Sequence, residues 1–140
     1  MKILLAVDGS AYTKRMLGYA GAHDELFGTR HEYTAVTVVP FVPARAASFV
    51  GKEILQSYYH EQGEQVLGPV RQYAAQAGWD LDARYLVGHA GEAISQLAEE
   101  GKFDLIVMGS QGHSALGGLV LGSVSMRVIA GCKVPVLLIR

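Results

Sequence analysis

Apolar positions along the chain fall into two kinds of run, and the two alternate. Lys2–Val7 (KILLAV) is short and nearly continuous, is bounded by Asp8-Gly9-Ser10, and reads as a buried strand. Tyr33–Val39 (YTAVTVV) is rich in β-branched residues and stops at Pro40. Leu81–Val87 (LDARYLV) alternates apolar and polar positions, which suits a strand near a sheet edge. Leu105–Met108 (LIVM) and Val134–Ile139 (VPVLLI) bring the strands to five. The unbroken apolar runs predict strands covered on both faces, as in a parallel sheet.

Between these runs the apolar spacing changes to steps of three and four. Ser10 predicts an N-cap for a helix that keeps Tyr12, Met16, Tyr19, Ala20 and Leu26 on one face and stops at Gly28. Leu55, Tyr58, Tyr59, Gln62, Val66, Val70, Tyr73 and Ala77 predict a second, longer helix ended by Gly78. Gly68-Pro69 predicts a kink in it, because proline has no N–H to donate and its ring crowds the preceding turn. A third helix covers Ala90–Glu100, with Ile94, Leu97 and Ala98 inward, and a fourth runs from about Gly122-Ser123 to Gly131. Phe41–Val50 (FVPARAASFV) reads as the most mobile loop. The resulting order, β-α-β-α-β-α-β-α-β, predicts an α/β fold: a five-stranded parallel sheet, doubly wound, with helices on both faces.

Composition narrows the function. The 140 residues suit one domain (1–140), with half of them hydrophobic and 18% charged, a globular balance. Net charge is −1 and the basic residues are scattered, so no footprint for nucleic acid is expected. The single cysteine, Cys132, rules out an internal disulfide and reads as a buried, inert thiol. The opening apolar run is too short for a signal peptide, which makes the cytoplasm the expected compartment.

One stretch departs from this ordinary picture. Met108–Ser125 (MGSQGHSALGGLVLGSVS) holds five glycines and four serines, and Leu105–Met126 has 22 residues without Asp, Glu, Lys or Arg. A membrane span is excluded by the polar block Ser110–Ser114 and by Gly117-Gly118. The stretch starts where a strand ends and finishes where a helix begins. On an open α/β sheet, ligands bind beyond the carboxyl ends of the strands. Gly109 and Gly112 permit positive backbone angles and keep Cβ atoms out of a ligand's way. The helix start at Gly122-Ser123 offers N–H groups and the positive end of a dipole, which suits a phosphate. Ser123 and Ser125 add hydroxyls, and Gly117-Gly118 let the loop fold back. The competing reading is that the glycines are loop punctuation and Ser123 a simple N-cap. Neither G-x-x-x-x-G-K-[ST] nor a G-x-G-x-x-G after the first strand occurs, so the common phosphate motifs do not apply.

The spacing Gly109-x2-Gly112-x9-Gly122-Ser123 resembles the G-2x-G-9x-G-[S/T] motif of the universal stress protein family, in its ATP-binding branch. The resemblance extends from ILLAVDGS to VPVLLIR. It implies a Rossmann-like sheet of order 3-2-1-4-5. By position it places Ala6, Val7, Asp8 and Val38 near adenine and ribose, and Met108 and Gly109 along the nucleoside. Gly112, Gly122, Ser123, Val124 and Ser125 would face the phosphates. Asp8 either accepts a hydrogen bond from the nucleoside or caps its own turn. His113 stands in a loop where several relatives carry Arg or Lys, and supplies only a partial positive charge. The implied ligand is ATP, or ADP or AMP, with Mg2+ carried by the nucleotide. The implied assembly is a homodimer paired through the C-terminal strand, which otherwise leaves an open edge. The implied role is a nucleotide-dependent stress-response or regulatory protein with a protein partner of unknown identity. Two alternatives stand beside it: a slow ATPase or phosphotransfer enzyme, and a structural dimer that binds no nucleotide.

Other motifs fail on inspection. Gly112–Leu116 (GHSAL) lacks the final glycine of a nucleophile elbow, and His60–Glu64 (HEQGE) lacks the second histidine of a zinc protease. His23, His31 and His89 have no metal-ligand spacing and read as surface or capping residues.

Overall fold

The computed structural model describes residues 1–112 and 121–140. Five strands, β1 (Lys2–Ala6), β2 (Glu32–Val39), β3 (Asp80–Val87), β4 (Leu105–Gly109) and β5 (Val136–Ile139), form one sheet in the order β3-β2-β1-β4-β5. Every pairing is parallel. The register sets Ala6 opposite both Val36 and Met108, so β1 and β4 release the chain at the same height.

The helices are α1 (Ala11–Ala22), α2 (Asp24–Phe27), α3 (Ala44–Ala47), α4 (Lys52–Ala77), α5 (Ala90–Glu100) and α6 (Ser123–Gly131). Alternation along the strands divides the core into two. Ile3, Leu5, Tyr33, Ala35 and Val107 pack with Met16 and Leu17 of α1 and with Leu67, Val70 and Ala74 of α4. Leu4, Val36, Ile106 and Met108 pack with Ile94 and Ala98 of α5 and Val128 of α6. Each face of the sheet is therefore covered by two long helices. Right-handed crossovers put them there, because β1→β2→β3 progresses toward one edge and β4→β5 toward the other.

Local chemistry accounts for most boundaries. Ser10 Oγ accepts from Tyr12 N–H and caps α1. Gly78 ends α4 in the left-handed region (φ 70°, ψ 24°), and Trp79 N–H closes the turn on Ala74 C=O at 2.9 Å. The helix expected from Ser10 to Gly28 is two: α1 ends at His23, whose Nδ1 bonds Tyr19 C=O at 2.8 Å, and α2 follows. α4 begins earlier than expected and is one helix through Pro69. The 41–50 loop contains the short α3. β5 starts at Val136, two residues late: Pro135 has no N–H for the ladder, although its C=O accepts from Ile106 N–H at 2.8 Å. β3 lies at the sheet edge, as its alternation predicts.

His31 is buried, not a surface residue, and lies edge-on to Tyr33. Cys132 is half-buried, and that burial pushes its thiol above the ordinary range, in keeping with an inert role. Among the described residues, no helix is long and apolar enough to cross a membrane, and no cluster of three His, Cys, Asp or Glu residues is placed to hold a metal.

Gly63 of α4 lies directly on Tyr85 of β3: a Cβ there would approach Tyr85 Cβ and Cγ to 2.7 Å. Gly18 of α1 faces open space. Gly63→Ala should therefore lower unfolding free energy by about 1–3 kcal/mol despite the helix propensity of alanine. Gly18→Ala should raise it by about 0.5–1 kcal/mol. Urea denaturation of the two variants checks the pair, and equal effects would refute the packing argument.

Candidate ligand cleft at the sheet edge

The chain leaves β1 toward the face carrying α1, and leaves β4 toward the face carrying α6. Nothing in the sheet fills the space between these two exits, and a cleft of about 720 Å³ opens there. Its floor is Ala6 and Val7 from β1 and Met108 and Gly109 from β4. Val38 lines one side, and Asp8, Gly112, Gly122, Ser123, Val124 and Ser125 line the rim. The described candidate residues thus meet around one cavity. His113 lies outside the described residues, as do Ser114, Gly117 and Gly118.

Asp8 organises the first rim. Its Oδ1 accepts from Ser10 N–H at 2.9 Å and from the Thr13 hydroxyl at 3.0 Å. Thr13 Oγ1 in turn accepts from the N–H groups of Asp8 and Gly9 at 3.0 and 3.2 Å. Asp8 is thus a turn-former, with Gly9 at φ 76° supplying the left-handed residue. Its Oδ2 points the other way, toward Gly112: a Cβ on Gly112 would come within 2.3 Å of it. The carboxylate therefore serves the turn with one oxygen and abuts the glycine loop with the other.

The second rim corrects what glycine spacing suggested. None of Gly109, Gly112 and Gly122 has a positive φ. What they provide is closeness between parts of the protein. A Cβ on Gly109 would meet Tyr12 Cβ at 2.6 Å, and one on Gly122 would meet Gln111 Cα at 3.1 Å and Ser110 C=O at 3.3 Å. Gly122 N–H donates to Ser110 C=O at 2.7 Å, which ties the two ends of the 110–122 excursion together. Ser110 N–H donates to Ile139 C=O at 2.9 Å, fixing the same foot to β5.

Two serine assignments change as well. Gly122, not Ser123, is the N-cap of α6, and Ser123 is its first helical residue. The Ser125 hydroxyl is buried and donates to Gly109 C=O at 3.0 Å and Ser110 C=O at 3.2 Å. What remains at the α6 start is its first-turn backbone. The first intrahelical bond is Met126 N–H to Gly122 C=O, so the N–H groups of Ser123, Val124 and Ser125 have no intrahelical acceptor. They stand at the positive end of the helix dipole, on the cleft rim.

Further lining comes from residues outside the motif. Tyr12 and Thr13 enter from α1, Thr37 from β2, Gln62 and Gln65 from α4, and Ile94 from α5. Thr37 sits in the predicted strand one residue before Val38, a signal available from the sequence. Gln62 and Gln65 belong to a helix distant in the chain, and only the packing of α4 beside β2 brings them in.

Fold and cleft together define an α/β protein of the doubly wound type, with a crevice at its topological switch point. The family model for the universal stress protein family matches residues 1–140, and the chain belongs to that family. It is 36% identical over 143 residues to a universal stress protein of Thermus aquaticus, covering 99% of this chain and 97% of that one. The match to the Synechocystis protein Slr1230, at 32% identity, covers 99% of this chain but only 42% of that longer protein. Among solved structures, MJ0577 superposes with a TM-score of 0.78 at 26% identity, covering 99% of this chain and 94% of that one. A universal stress protein in complex with cAMP superposes with a TM-score of 0.71 at 24% identity, covering 100% and 97%.

The serine geometry has a direct consequence. Ser125→Ala would remove the buried hydroxyl donor from the Gly109 carbonyl, while the Ser110 carbonyl keeps Gly122 N–H, at a cost of about 1–3 kcal/mol. Thermal or urea unfolding of the ligand-free protein should register this loss. A hydroxyl reserved for a ligand would leave ligand-free stability unchanged.

Proposed function

We propose that this protein binds an adenine nucleotide across the switch-point cleft and acts as a nucleotide-dependent regulatory dimer. The observation that supports this most strongly is the convergence of the β1 exit and the glycine-serine loop on one cavity, with the α6 amide terminus on its rim. In this reading the apolar floor, Ala6, Val7, Val38 and Met108, receives the base and ribose, beside Asp8. The rim, Gly109, Gly112, His113, Gly122, Ser123, Val124 and Ser125, receives the phosphates. ATP, ADP and AMP are the candidate ligands, with Mg2+ arriving on the phosphates. The cAMP complex of a structural neighbour supports an adenine nucleotide as the ligand class.

The enzymatic alternative draws less support. Of the two serine nucleophiles the loop offers, Ser125 commits its hydroxyl to two carbonyls. A regulatory role instead requires that ligand occupancy alter a surface. The bond from Ser110 to Ile139 gives the loop a mechanical connection to β5. β5 is the edge strand through which a second copy would pair, and Val136, Leu137 and Leu138 are only half-buried in one chain. Met126 and Ile129, on the helix leading into β5, are exposed apolar residues that such an assembly would help to cover.

Ser123→Asp separates binding from folding. A carboxylate at the first position of α6 favours the helix dipole, yet it occupies the place of a phosphate. Calorimetric titration should show adenine-nucleotide affinity falling by at least about tenfold with thermal stability maintained, as expected for a like charge at a phosphate site. Unchanged affinity would overturn the placement of the phosphates. Sedimentation at micromolar concentration should give the mass of two chains; a single-chain mass would refute pairing through β5.

A further inference from the structure

We propose that the outward face of the first three turns of α4 is a self-association surface, on which a second copy of this chain docks its own α4 antiparallel about a two-fold axis. This goes beyond the nucleotide reading and depends neither on it nor on pairing through β5. α4 is 26 residues long, and its buried positions are Gly63, Leu67, Val70 and Ala74. None of residues 52–62 is buried. Ile54, Tyr58 and Glu61, at steps of four and three, share one helix face and are all exposed. Gly63, which rests on Tyr85, lies about half a turn round the helix from Ile54, so that face points away from the sheet. Ile54 is 63% exposed, Tyr58 44%, and Phe49, two residues before the N-cap Gly51, 83%.

The surface is held in place. Phe49 N–H donates to Ala46 C=O at 3.2 Å, Val50 N–H to Ala47 C=O at 3.4 Å, and Val42 N–H to the Tyr59 hydroxyl at 2.9 Å. With Val50, these side chains present roughly 400 Å² of apolar surface, taking 150–250 Å² for a whole aromatic side chain. That is large for a monomer. It supplies most of the apolar share of one side of a standard homodimer interface, about 800 Å² per partner and about 65% apolar.

Charge selects a second copy as the occupant. Gly51 caps α4 without a side chain, and the first intrahelical bond is Leu55 N–H to Gly51 C=O. The N–H groups of residues 52–54 therefore end the helix with its positive pole uncapped. Glu53 lies about 100° round the helix from Ile54, outside the contact face. Among the described residues, Glu61 makes no ion pair. An antiparallel crossing about a two-fold axis level with Gln56 sets Ile54 of each copy on Tyr58 of the other. The same register brings each Glu61 carboxylate level with the other copy's Gly51, at the uncapped helix end. The two Glu61 residues then stand about 15 Å apart along the helices, beyond the Debye length at physiological salt. The contact is isologous, and each patch completes the other.

Sedimentation velocity of the full chain, from micromolar to submillimolar concentration, tests this. The wild-type mass should double with concentration, and Ile54→Glu should hold it at the lower value: two chains rather than four where β5 also pairs, one rather than two where it does not. Glu61→Lys, which sets a cation against the positive helix end, should weaken self-association by about tenfold. Gln56→Glu adds the same charge as Ile54→Glu on the far side of the helix and should change nothing. Circular dichroism should show the wild-type helix content in all three variants, since each position is exposed. The same mass for wild type and Ile54→Glu at every concentration would overturn the proposal, whatever β5 does. Equal loss in Gln56→Glu would overturn the face assigned to the contact.

Discussion

The structure depends on β1 being a parallel strand with neighbours on both sides and helices over both faces. Ile3, Leu4 and Leu5 have no exposed surface, and their alternation sends Ile3 and Leu5 into one core and Leu4 into the other. A strand so placed cannot sit at an edge or face water. Its two neighbours, β2 and β4, belong to halves of the chain that wind in opposite directions. The crossovers must then diverge, and the cleft is the space their divergence leaves. The candidate site follows from how the core is covered, before any chemistry of its rim is considered.

That origin explains how the rim is built. Two loops leaving neighbouring strands in opposite directions need an internal tie to keep their shape. The tie consists of Gly122 N–H on Ser110 C=O, the Ser125 hydroxyl on the Gly109 and Ser110 carbonyls, and Ser110 N–H on Ile139 C=O. Glycine at 109, 112 and 122 lets the backbone approach closely: a Cβ would clash with Tyr12 Cβ at 109, displace the Asp8 carboxylate at 112, and crowd Gln111 Cα at 122. The motif spacing thus describes a closed excursion between a strand and a helix. Its cost falls on the donors, since a hydroxyl and an amide that shape the loop are not available to a ligand. Among the described residues, the first-turn amides of α6 are the rim donors without an intrahelical acceptor.

The sequence by itself determined the element order, the parallel winding and the region of the site. Apolar runs and their periods suffice for the first two, because burial on both faces leaves a continuous signature at Lys2–Val7 and Leu105–Met108. The glycine-serine spacing and Asp8 marked the loop ends, and the residues they indicate do converge on one cleft. Other features were decided only by tertiary structure. The break at His23 depends on a side chain turning back to Tyr19 C=O, a local competition that periodicity does not register. The burial of His31 depends on what packs over it. Gln62 and Gln65 reach the cleft because α4 crosses the sheet beside β2, a relation between residues far apart in the chain. Above all, a serine in sequence is only a possible donor; whether its hydroxyl serves a ligand or the loop is settled by which acceptor lies nearer, and for Ser125 the nearest acceptors are the protein's own carbonyls.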